Sequence, residues 1–150
     1  MKWINVYGLV MIAVIMIPNI AFAVRCGDGF ENLWQNRFVE IAEQAGRFSC
    51  FALMIFNIPG VYMGFETDSA LHIYLVADGL MIAAYCLIWI ICFRKPGMFR
   101  AIALSVLPAA VFLASGIMSR YILLVIAAAV FAPAHILFSC KNAVALQKEK

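Results

Sequence analysis

Apolar residues run almost unbroken through 3–24, 48–65, 69–93, 101–119 and 121–140, and four of these five runs carry no charged residue. A helix rises ~1.5 Å per residue, so about 20 apolar residues cross a hydrocarbon core ~30 Å thick. Each run is close to that length, and the pattern predicts five transmembrane helices. The remaining periodic stretch is of another kind. Phe30, Trp34, Phe38, Ile41, Ala45 and Phe48 recur at steps of three or four, while Glu31, Asn32, Gln35, Asn36, Glu40, Glu43 and Gln44 fall mostly elsewhere. That spacing predicts an amphipathic helix over about 30–47. It would lie in the membrane interface with Trp34 at headgroup depth, after a Gly27-Asp28-Gly29 turn. Its charges are mixed rather than basic, which favours a connecting helix over a sensor of anionic lipid.

The expected fold is therefore all-α: a polytopic membrane protein of five transmembrane helices and one interfacial amphipathic helix, with 1–150 as a single transmembrane domain. Composition agrees. Of the 150 residues 66% are hydrophobic and the mean hydropathy is +0.98, against ~45–50% apolar in soluble proteins.

Charge distribution sets the expected orientation. Five crossings would place Arg25, Arg37, Arg47, Arg94, Lys95, Arg100, Lys141, Lys148 and Lys150 on one side, and only Lys2 and Arg120 on the other. By the positive-inside rule the amino terminus lies outside and the carboxyl terminus in the cytoplasm, in the cell membrane. Glu66 and Asp68 then occupy a short external turn. Ala21-Phe22-Ala23 resembles a signal-peptide cleavage site. Cleavage there would invert the charge asymmetry, so the first run is expected to stay as a helix. The net charge of +3 does not imply nucleic acid, because the basic residues sit at the ends of apolar runs.

Small residues punctuate the runs. Gly60 and Gly64, Ala110 and Ala114, and Ala128 and Ala132 all have the four-residue spacing that lets helices approach closely, and Pro59 would kink the second span. Cys26, Cys50, Cys86, Cys92 and Cys140 lack any C-x-x-C spacing, so packing thiols are expected rather than a disulfide framework, a metal site or a cofactor.

Candidate chemistry centres on Asp78, the one acid within an apolar run. An intramembrane charge costs ~2.5–3.5 kcal/mol on insertion scales and marks a functional candidate. Tyr74, Asp78, Tyr85 and Trp89 form one helical stripe. If the second and third runs form a hairpin about 66–69, Asn57 lies level with Asp78 and can bond a neutral carboxyl. Two readings follow: an interhelical polar clamp, or a proton- or cation-linked transport site lined by the tyrosines. His72 and His135 differ in depth, so they are not expected to share a metal, and His135 is placed to bond a carbonyl freed by Pro133. No nucleophile motif, H-E-x-x-H or phosphate loop is present, which speaks against an enzyme.

Glu43-Gln44-Ala45-Gly46-Arg47-Phe48, leading into Leu53-Met54-Ile55-Phe56-Asn57-Ile58, resembles a stretch of uncharacterised small bacterial multi-span membrane proteins, and Ser115-Gly116-Ile117-Met118 and His135-Ile136 are similar to the same group. The resemblance implies a bacterial cytoplasmic membrane protein whose Glu43 to Ile58 region matters, and no activity. The expected function is a non-enzymatic component that binds a partner or lipid, with a small transporter or transporter subunit using Asp78 as the alternative. The expected partners are the lipid bilayer and either a second copy or another membrane protein, since five short spans enclose little volume.

Overall fold

A computed structural model describes residues 3–26, 33–95 and 97–148. Among the described residues there are five helices: α1 (Val6–Arg25), α2 (Arg37–Ile55), α3 (Asp68–Cys92), α4 (Met98–Met118) and α5 (Ile122–Lys148). Four of them, α1, α3, α4 and α5, are long and apolar enough to cross a membrane, the make-up of a multi-pass membrane protein. Polar caps set three starts: the side chains of Asn5, Asn36 and Thr67 accept from backbone N–H groups in the first turns of α1, α2 and α3.

The five helices alternate in direction along the chain. The Asn5 N–H donates to the Ile55 carbonyl at 2.8 Å and the Asn57 N–H to the Trp3 carbonyl at 2.9 Å, which ties the start of α1 to the end of α2. The α3 helix runs beside α1 in the same sense, with Trp89 4.9 Å from Phe22. The α4 helix turns back along α3, and α5 turns back along α4, where the Phe112 and Phe131 rings lie 5.5 Å apart. Three glycines permit these contacts. A Cβ on Gly46 would lie 2.9 Å from the Cα of Phe131 in α5, one on Gly116 would lie 2.9 Å from Val125 Cγ2, and one on Gly8 would overlap the Met54 carbonyl oxygen.

The second apolar run departs from expectation. It is not a separate span over 48–65 preceded by an amphipathic helix over 30–47. One helix, α2, covers Arg37–Ile55, and 56–67 is a connection. Gly60 and Gly64 have φ of +85° and +79°, so they serve left-handed turns rather than helix packing. Tyr121 holds this connection from beneath: its hydroxyl donates to the Phe56 carbonyl and accepts from the Ile58 N–H, both at 3.3 Å. The expected Gly27-Asp28-Gly29 turn and Phe30 lie outside the described residues. Trp34 precedes the helix, its N–H donating to Asn142 Oδ1 at 3.0 Å.

The predicted helical period of this segment is present, but the buried face is the opposite one. Phe38 is 82% exposed and Phe48 64%, whereas Glu43 is 2% exposed. The exposed face of α2 is thus the apolar one, and its acid is turned into the protein. The α5 helix is also unusual. Its 27 residues extend about 40 Å, longer than a ~30 Å hydrocarbon core.

Candidate functional site

Glu43 projects from α2 toward α5. Its Oε1 accepts from Arg47 Nε at 3.0 Å and from Arg47 Nη2, one turn along the same helix, and lies 2.9 Å from His135 Nδ1 of α5. The His135 ring stacks on Phe131 with centroids 4.6 Å apart and planes inclined by 19°. Thus His135 does not bond a carbonyl freed by Pro133, as its sequence position suggested. A carboxylate is the better acceptor, and Gly46 brings α2 close enough to present one.

This ion-paired cluster borders a cavity of about 1060 Å³. Helix α1 meets α2 closely at Gly8, but further along the two helices form opposing walls, with Met16, Asn19 and Ile20 on one and Glu40, Glu43 and Arg47 on the other. Phe112 of α4 and Phe131 of α5 contribute to the floor, and Tyr85 of α3 reaches in beside Asn19. Asn19 Nδ2 donates to the Tyr85 hydroxyl at 2.7 Å and to the Ile15 carbonyl at 2.8 Å. The cavity is a partly open groove between helices, and one chain forms it without a second copy.

Asp78 forms a second polar point, remote from this lining. The stripe of Tyr74, Asp78, Tyr85 and Trp89 is the buried face of α3, as its spacing predicted. Asp78 is fully buried, and its described partner is Ser115 of α4, whose hydroxyl donates to Oδ2 at 2.5 Å. Asn57 is not on a helix facing it. The α2 helix has already ended, and Asn57 lies in the connection against Trp3. Tyr74 donates to Met11 Sδ at 3.3 Å, joining α3 to α1. Of the five candidates from the sequence, the structure brings Tyr85 and His135 to the cavity lining and places Asp78, Asn57 and Tyr74 elsewhere.

Glu43, Arg47, Asn19 and Ser115 were missed. A usable signal existed for the first two: an acid and a base one turn apart, where the polar segment runs into an apolar one. At the far end, Arg100 is accounted for by structure. Its guanidinium lies 4.4 Å over the Phe22 ring and donates to the Cys92 and Phe93 carbonyls that end α3.

The Asp78 contact gives one expected result. Ser115→Ala removes the described donor to a buried carboxyl and should cost about 1–3 kcal/mol. Asp78→Asn should cost less, because its amide can still donate to the serine oxygen. Thermal unfolding of both variants in detergent measures this, and an unaltered Ser115→Ala midpoint would remove the bond from the account of α3–α4 packing.

No protein-family model, curated protein or solved structure matches the chain.

Proposed function

We propose that this is a non-enzymatic integral membrane protein that holds a lipid-like amphiphile in the cavity between α1, α2, α4 and α5. The observation that carries the reading is the cavity itself. Its volume of about 1060 Å³ suits an acyl-chain ligand, its walls are mainly aliphatic and phenyl, and its polar groups are the Glu43–Arg47–His135 cluster, the Asn19–Tyr85 pair, and Arg37, Glu40 and Gln44 along α2. Asp78 does not line it, which favours the clamp role for that residue over the transport alternative.

In this reading α2 is embedded with the other four helices, its outward Phe38 and Phe48 facing acyl chains. The protein sits in the cell membrane with its amino terminus outside, supported by the asymmetry of basic residues. Single cysteines placed at 67 and 97 in a cysteine-free background test the orientation: an impermeant thiol reagent on intact cells should label the first and not the second, and the reverse result defeats it.

Cavity occupancy is tested by native mass spectrometry of the protein released from membranes. The wild type should carry co-purified lipid, and Met16→Trp, which fills the cavity from α1, should lower occupancy about tenfold, the effect of ~1.4 kcal/mol. Leu80→Trp on the exposed face of α3 is the control. Equal occupancy in all three proteins would sink the proposal.

A further inference from the structure

From the hydrogen-bonding capacity left unused in the cavity, we infer that the ligand is a neutral amphiphile with a hydroxyl-bearing head, of the glyceride type, and not an anionic lipid. This inference rests on the cavity reading above. The lining carries Arg37 and Arg47 against Glu40 and Glu43, a balanced set of charges. Arg47 is engaged by Glu43 through Nε and Nη2. An anionic head approaching Arg47 would also approach the Glu43 carboxylate, so attraction and repulsion largely offset each other.

The unused groups are of both kinds. Glu43 is an acceptor only, so the Nδ1 facing it carries the hydrogen, and in the neutral ring Nε2 is left with a lone pair. No described residue donates to that lone pair. The Tyr85 hydroxyl accepts from Asn19 and no described residue accepts its proton. Arg47 Nη1 likewise has no described acceptor. The lining also carries Arg37, Glu40, Gln44 and the Asn19 side-chain oxygen, so donors and acceptors stand together above an apolar floor, a set met by an alcohol beside an ester or second hydroxyl. A fatty acid or phosphatidic acid supplies acceptors alone when ionised and leaves Nε2 unmet. Buried polar groups left unpaired are costly, and selectivity follows from that cost.

The test compares three probes with identical acyl chains: dioleoylglycerol, its O-methyl ether, and dioleoyl phosphatidic acid. Each competes with co-purified lipid on the wild-type protein in native mass spectrometry. The expected result is that the free alcohol binds about tenfold more tightly than its methyl ether or the phosphatidic acid, one hydrogen bond's worth of ~1.4 kcal/mol. His135→Phe keeps the ring stack on Phe131 and removes that acceptor, so the preference for the alcohol over its ether should shrink. Tyr85→Phe, a smaller change, should weaken all acceptor-bearing heads by a similar factor and keep the preference for the alcohol over its ether. Phosphatidic acid binding the wild type as tightly as the alcohol, or alcohol and ether binding it equally, overturns the inference. If those equal affinities are both lost in Met16→Trp, the ligand class is wrong and the cavity reading stands. If Met16→Trp alters none of them, both fall together.

Discussion

Replacing Glu43 with leucine should destabilise the protein by about 3 kcal/mol, among the largest effects of any single polar substitution in the bundle. Removing one member of a buried ion pair costs ~3–5 kcal/mol because its partner keeps the desolvation penalty without the attraction. The lower end applies, since the Arg47 side chain is 35% exposed and can find other acceptors. His135 loses its only described acceptor in the same step. Glu43→Gln retains an oxygen toward both partners, so it should recover most of the loss. Reversible unfolding in mixed micelles measures the difference. If Glu43→Leu melts with the wild type, the cluster contributes nothing to holding α2 against α5.

The second large effect is expected at Gly46. A Cβ there would meet the Cα and Cβ of Phe131 at 2.9 Å and its N at 3.1 Å. Backbone atoms and a Cβ cannot rotate out of the way, so α2 and α5 must separate. Gly46→Ala should cost about 1–3 kcal/mol by overpacking, and Gly46→Leu more than that. Because the same contact brings Glu43 to His135, the leucine variant should lose cavity lipid along with stability. Gly79→Leu is the matched control, because a Cβ there meets nothing within 4 Å. Similar expression and melting of the two leucine variants would show that the α2–α5 approach is not tight.

Four helices could be read directly from the sequence, because an uninterrupted apolar run of helical length has one outcome in lipid. The stripe from Tyr74 to Trp89 was also legible, since aromatic and polar residues at helical spacing on an apolar helix find their place inside. The α2 helix was harder. A periodic pattern states that two faces differ, and the solvent decides which of them is buried. An amphipathic helix packed in water would bury Phe38 and Phe48, whereas here Glu43 is buried in their place. The partner of Asp78 was not legible either. Depth can be counted along a helix, but Asp78 could choose between Asn57 and Ser115 only once neighbouring helices were known. The glycine approaches at Gly8, Gly46 and Gly116 depend on the same knowledge, and single glycines in apolar runs give no warning of it.

The inward-facing acid on α2 also has a consequence for how the chain is made. Helix α2 leaves the ribosome long before His135 of α5 is synthesised. During that interval Glu43 has Arg47 beside it and no other described partner. A helix carrying both charges enters a bilayer poorly by itself, at ~2.5–3.5 kcal/mol for an ionised residue at mid-depth. In biogenesis α2 would therefore wait at the membrane surface, its apolar stripe of Phe38, Ile41 and Phe48 already dipping into lipid. It would roll inward when α5 arrives with the imidazole. Under the proposed embedding of α2, α5 completes its seating, and a chain halted before α5 would leave α2 lying on the bilayer surface.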